Sequence, residues 1–325
     1  MESATQIRST SSPKSTGQCV NVRFVSQGII LSQRDVSILR LLDLTPATAA
    51  HVRKASVTFE GEPFRDERRV RERMQVLGDA GLVKSWPAAV AGGGLMSYYR
   101  LTIEGHRAAA LDSTEAPPRT SLQEISPSRF RHAMATADAI VHTLAACHER
   151  GVKVQRAMGD GRLTLAIGEY RQQPDFHFQL GYAGRTFNLV FEIDNATEPL
   201  DSRREHSIRT KILGYETYQN WVFKTWKDSG GNGPRLGFRV VFLTLGSERA
   251  NHILWLAREL AVNSDRRLVY ATTQDDYLSE PHAVTLPILN DHHGHWQSLV
   301  NSQPSSRFVR EPIRLIRPVA QPNSL

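Results

Sequence analysis

The sequence predicts a multidomain α/β protein, in which a small helical unit closed by a strand pair precedes a larger α/β layer built on a mixed sheet. Three observations carry that expectation. Apolar residues recur at helical spacing over residues 32–44, 65–80 and 128–150. Beyond residue 150, strand-like runs (one of them the alternating FNLVFEID) intersperse with helical segments. A polar, proline-containing stretch, 112–127 (DSTEAPPRTSLQEISP), separates the two parts and reads as a linker.

Composition bounds the function classes. With 325 residues, 40% apolar and 22% charged, the chain has room for two cores and is not the composition of a disordered polymer. No run reaches the roughly 18 apolar residues of a membrane-spanning helix. Met1 to Gln18 is polar and lacks the apolar core of a signal peptide, so a cytoplasmic protein is expected. Cys19 and Cys147, far apart, fit reduced thiols rather than a disulfide framework or a zinc site. The net charge of +7 suits a polyanionic partner but equally serves solubility, so the placement of the arginines has to decide. The expected division is a flexible leader (1–27), a first domain (28–111), the linker (112–127), a second domain (128–300) and a basic, proline-rich tail (301–325).

In the first domain, Ser32 caps a helix whose Val36, Leu39 and Leu42 form one stripe. Thr45-Pro46 reads as the start of a second helix running to about Lys54, with Pro in the first turn. A third helix spans about Arg65 to Ala80, its seam Val70, Met74 and Leu77, and Gly81 is placed to stop it in a left-handed conformation. The strand Leu82–Trp86, a turn at Gly92-Gly93-Gly94 and the strand Tyr98–Leu101 follow, and Thr102 opens another helix. Three helices and then a hairpin is the order of a winged helix-turn-helix. Arg65, Arg68, Arg69, Arg71 and Arg73 cover most of the third helix away from its seam, and Lys84 rides the hairpin. Such a helix fits the major groove of double-stranded DNA, where arginine grips guanine or phosphate. Asp66, Glu67 and Glu72 among them leave open a surface helix laced with i,i+4 ion pairs.

In the second domain, Ser128–Arg150 is an amphipathic helix ended by Gly151. Strands are expected at Leu163–Ile167, Phe176–Leu180, Phe187–Asp194, Phe238–Leu245 and Leu268–Thr272, with helices at about Arg203–Trp226 and Glu248–Val262. Along Phe187–Asp194, Phe187, Leu189, Phe191 and Ile193 face one way and Val190, Glu192 and Asp194 the other. Two carboxylates on one face of an apolar strand need compensation, and a divalent cation such as magnesium is a common one. Asp175, after Pro174, is placed to add a third oxygen.

The spacing Pro174-Asp175 … Glu192-Ile193-Asp194 resembles the PD-(D/E)xK nuclease superfamily, which implies a restriction-endonuclease-like second domain with magnesium held by Asp175 and Glu192. A lysine normally follows the second acid by two residues. Asp194 stands there instead, which puts a negative charge where that superfamily's cleavage uses a positive one, although Lys211 on the next helix offers a displaced ammonium, with Tyr215 one turn further on. The whole run from Leu31 to about Thr272, with "PDFHFQL…FNLVFEIDNATEPLD…SIRTKILGYETY", resembles the replication-relaxation family of plasmid and mobile-element proteins. The resemblance implies DNA docking by the winged helix beside a nuclease-like domain, with Asp175, Glu192, Asp194 and Lys211 as its candidate catalytic set. A magnesium-dependent endonuclease or nickase and a winged-helix transcription regulator are the alternatives. Whether the chain forms a homodimer is left open.

Three further features have plain readings: Asp291-His292-His293-Gly294-His295 as an exposed polar loop, His177 as a hydrogen-bonded histidine near the site, and Trp221, Phe223 and Trp226 as core.

Overall fold

The computed structural model describes residues 24–26, 29–89, 93–110, 117, 119–159, 161–168, 170–202, 207–231, 237–300 and 315. Strand β1 (Phe24–Ser26) pairs antiparallel with β2 (Ile29–Leu31), so the end of the expected leader carries regular structure. Helix α1 (Gln33–Leu44) begins on a full capping box: the Ser32 hydroxyl accepts from Asp35 N, and Asp35 reaches back to Ser32 N.

The second helix departs from the expectation. Thr45 is the C-cap of α1, and Ala47–Thr48 form a short strand, β3. Helix α2 (Ala49–Ala55) starts only after it, capped by Thr48, with His51 closing the box. The cause is distant in sequence: Ala47 and Thr48 pair with Tyr99 and Tyr98, a ladder that outweighs the local helix signal of Thr-Pro. Helix α3 (Glu67–Asp79), capped by Asp66, ends at Ala80, and Gly81 takes φ +69°. Strands β4 (Val83–Ala89) and β5 (Leu95–Leu101) pair antiparallel, and with β3 give a sheet of order β3-β5-β4. Their turn contains Gly93 and Gly94 at positive φ; Gly92 lies outside the described residues. Helix α4 (Ile103–Ala110) closes the unit. The stretch 119–126 is tied to β5, since Arg100 donates to the Gln123 carbonyl (2.6 Å) and the Tyr98 hydroxyl accepts from Ile125 N (2.8 Å).

Helix α5 (Pro127–Glu149) leads into β6 (Lys153–Met158), a small pair β7 (Leu165–Ile167) and β8 (Tyr170–Gln172), then β9 (Phe176–Tyr182) and β10 (Arg185–Asp194). Helix α6 (Ile208–Asp228), β11 (Phe238–Thr244), α7 (Ser247–Leu260), β12 (Val269–Thr273), α8 (Gln274–Ser279), β13 (Leu289–Asp291) and β14 (Trp296–Gln297) complete the described chain. The seven-stranded sheet runs β14-β13-β12-β11-β10-β9-β6. It is mixed, as expected: β10, β11 and β12 are parallel neighbours and the outer pairings are antiparallel. One face (Phe176, Phe178, Leu189, Phe191, Ile193) packs under α5 and α8, and the other (Val190, Val240, Phe242) under α6 and α7. Central β11 is buried on both faces, which explains its unbroken Val-Val-Phe-Leu run. Leu315, the one described residue of the expected basic tail, packs on this second core.

The two units share packing: Val141 of α5 belongs to the core of the first, His51 of α2 bonds Asp138 (2.9 Å), and Lys54 bonds His142 (3.1 Å). Buried Asp35 also binds both prongs of the Arg73 guanidinium, joining α1 to α3. Burial alone would raise its carboxyl, but Arg73 and Ser32 together hold it below the ordinary carboxylate range. Replacing Asp35 by Ala removes its half of the capping box and leaves Arg73 unmatched. A loss of about 2 kcal/mol is expected in chemical denaturation, shrinking as pH falls and the wild-type carboxyl itself protonates.

Candidate functional site

Two groupings carry chemistry. The first is the outer face of α3. Val70, Met74 and Leu77 are buried, which fixes the rotation of the helix and turns Arg65, Arg68, Arg69 and Arg71 outward, all exposed. Arg68 pairs with Glu72 at 2.9 Å and Arg71 with Glu67 at 3.4 Å, both i,i+4 contacts in solvent. Exposed pairs of this kind are worth about 0–1 kcal/mol, so they yield readily to a stronger anion. The guanidiniums of Arg65 and Arg69 have no hydrogen bond or ion pair among the described residues. Arg73 differs: its fork is committed to Asp35, which makes it a brace of the fold. On β4, exposed Lys84 lies 3.9 Å over the Trp86 ring. Sequence reasoning missed Arg34. It stacks 5.0 Å over Phe64, donates to the Glu62 carbonyl, and with Arg65, Arg69 and Arg73 lines a cleft of about 500 Å³ beside α3. Only the fold brings α1 to that position.

The second grouping surrounds Glu192. The alternation of β10 holds as expected, and the Glu192 side chain is 2% exposed on the α6 face. Lys211, one helical turn before Tyr215 on α6, sits 2.9 Å from Glu192 Oε2, while the Tyr215 hydroxyl donates to Oε1. Gln172 Nε2 also donates to Oε1 (3.2 Å), and Lys211 bonds a second carboxylate, Glu198, at 2.9 Å. Gly214 permits this closeness, because a Cβ there would overlap the Tyr170 hydroxyl. Burial pushes the Glu192 carboxyl up to about 7, against the pull of Lys211. Burial disfavours the Lys211 ammonium, yet Glu192, Glu198 and Asp175 outweigh it and hold the ammonium above its ordinary value. A carboxyl raised in the fold contributes stability that is complete below about pH 4.5 and is lost as pH rises through about 7. Glu192→Gln is therefore expected to flatten the fall in denaturation free energy between pH 5 and 8.

Asp175 precedes β9 and is tied down at both oxygens, accepting from Ile193 N at 2.6 Å and meeting His132 Nε2 at 2.9 Å. Asp194 is gripped by Arg249 through two bonds, 2.6 and 3.1 Å. The sequence argument that these paired carboxylates need compensation holds, but the compensation is protein-made: Lys211 for Glu192 and Arg249 for Asp194. The donor set consequently does not fit magnesium. Both Glu192 oxygens and both Asp175 oxygens already accept protein donors, and among the described residues no three His, Cys, Asp or Glu side chains are disposed to hold a metal.

Three smaller expectations are corrected. Asp291 and His292 are buried at the β13–β14 turn, where Asp291 accepts from His293 N, His295 N and Gln297 Nε2, so this is a packed tip instead of an exposed loop. Buried His177 Nδ1 has no hydrogen-bond partner among the described residues, and burial followed by Arg156 lowers the pKa of the ring to about 4. Trp221 is 42% exposed, and Phe223 and Trp226 are half-buried, so the trio is not core.

A family model described as replication-relaxation matches residues 39–236, a span that includes α3, Glu192, Lys211 and Tyr215. No curated protein matches the sequence. Among solved structures, that of restriction endonuclease FokI bound to DNA aligns at 11% identity and TM-score 0.27, and that of FokI alone at 11% and 0.26. Each alignment covers 77% of this chain and 44% of the other, so the chain spans less than half the length of those proteins.

Proposed function

The chain belongs to the replication-relaxation family, and from that premise we propose that it is a DNA-binding protein of plasmid or mobile-element replication, docking on duplex DNA through α3 of its winged-helix unit. The observation that carries the proposal is the exposed arginine face of α3, with Arg65 and Arg69 unpaired among the described residues and Arg34 added from α1. Guanidiniums that form no intramolecular bond are available to phosphates and guanine edges at no cost in broken contacts. The paired β4 and β5, with Lys84, flank that face and suit the adjacent backbone. In this view residues 28–111 are the docking domain, residues 128–300 a nuclease-like scaffold, and the protein acts in the cytoplasm.

The scaffold's role is the point at which the rival reading, a magnesium-dependent nickase, divides from this one. Asp175, Glu192 and Lys211 do converge, which favours the rival, but their mutual and backbone bonds satisfy one another. Supercoiled plasmid incubated with the protein and magnesium or manganese is expected to stay supercoiled while binding persists. Nicking that disappears in Glu192→Ala overturns the non-cleaving view.

A further inference from the structure

A second cleft, of about 670 Å³, lies where the two units meet, between α1 and the 58–59 turn on one side and β6 with Gly159, Gly161 and Arg162 on the other. That volume falls within the roughly 300–1,000 Å³ of sites that enclose organic ligands. Its floor is apolar, made by Leu41, Leu44, Phe59, Leu144 and Met158. Its one lining carboxylate among the described residues, Asp43, is already neutralised, because Arg162 grips both of its oxygens and His106 Nδ1 lies 2.6 Å away. Arg40 and Arg156, both exposed, remain on the rim, and neither guanidinium has a hydrogen bond or ion pair among the described residues. Among the described residues the site thus offers two cations without an ion-pair partner above an apolar floor with an aromatic ring in it.

We propose that this cleft is a nucleotide site, in which Arg40 and Arg156 hold the phosphate and the floor around Phe59 takes the base. Bases stack on aromatic and apolar surfaces whatever their identity, while guanidinium forks match phosphate. A duplex would leave the floor unused, because its bases are turned inward. The nucleotide is either a unit of an unpaired strand or a free molecule. Position favours the strand. Arg34 of α1 lines the α3 cleft, and Ser37, Leu41 and Leu44 continue the same helical stripe into this one. Residues 58–65 likewise pass from the second cleft to the first. Arg34 and Arg40 are separated by a rise of about 9 Å along the helix, one or two nucleotide steps. The strand arm rests on the α3 reading; the free-nucleotide arm does not.

The test compares wild type, Arg40→Gln/Arg156→Gln and the stacking-deficient Phe59→Ala in fluorescence polarisation, with a blunt duplex and the same duplex carrying a single-stranded extension. Calorimetry with adenosine and thymidine monophosphates forms a second arm. The extension is expected to tighten wild-type binding about tenfold, equivalent to one stacked base. Both variants should lose that gain and keep wild-type affinity for the blunt duplex. Mononucleotide binding by wild type that the variants lose, without an extension effect, supports the site and identifies its ligand as free nucleotide. An extension gain undiminished in both variants, or no gain together with no mononucleotide binding, overturns the proposal. Failure of the α3 reading is separately visible as absent wild-type binding to the blunt duplex.

Discussion

Replacing Arg65 and Arg69 together by alanine is expected to weaken duplex binding about 100-fold at physiological salt. Each guanidinium is exposed and without a hydrogen bond or ion pair among the described residues, so its removal breaks no such contact within the fold. A charge-assisted hydrogen bond contributes roughly 1.5–3 kcal/mol, and two of them at the lower figure give about 3 kcal/mol, or two decades in affinity. The salt dependence should change with it. Each phosphate contact contributes about 0.9 to the slope of log affinity against log salt, so the double variant should lose about 1.8. Arg73→Ala supplies the contrast. Its fork is held by buried Asp35, so its loss should lower thermal stability while leaving the salt slope near wild type. Polarisation titrations at several salt concentrations, with melting curves on the same preparations, separate the two behaviours.

Lys211→Met is expected to cost about 3–5 kcal/mol of stability at pH 8, the usual penalty for stranding one charge of a buried pair. At this chain length that corresponds to about 10 °C in melting temperature. Glu192, Glu198 and Asp175 surround the ammonium, and Glu192 is nearly inaccessible. Without Lys211 the Glu192 carboxyl takes up a proton more readily still. Its raised pKa means that stability is retained at low pH and lost as pH rises, so the defect should shrink at pH 5. Adding Glu192→Gln should restore much of the loss, because the stranded charge is removed with its partner. A Lys211→Met protein as stable as wild type at pH 8 contradicts the description of this cluster as a mutually compensated network.

Much of this architecture was legible where local signals agreed with distant ones. The stripes of α1, α3 and α5 were visible in spacing alone, as were the alternation of β10 and the run of β11, because in each the buried face is what the periodicity encodes. Gly81 was legible as a helix stop for a similar reason: the left-handed conformation selects glycine. Strand β6 was not, since KVQRAM lies at the sheet edge with no side chain fully buried and no alternation. Strand β3 was hidden behind Thr45-Pro46, and only pairing with Tyr98 and Tyr99 reveals it.

The carboxylate cluster was half legible. Glu192, Lys211 and Tyr215 could be placed on facing surfaces from strand and helix periods. Their further partners, Gln172 and Glu198, and the Arg249 clamp on Asp194 come from elements that no local pattern links to β10. Magnesium was inferred because an unmatched carboxylate pair is costly, and the cations that match it lie 19 and 55 residues away.

The central claim, that α3 presents its guanidiniums to duplex DNA, is tested most directly by the salt dependence of wild-type binding. Affinity measured from about 50 to 200 mM salt is predicted to fall with a slope near −3.6, from four phosphate contacts at about 0.9 each. Binding that does not vary with salt, or no binding to duplex at the lowest salt, contradicts it.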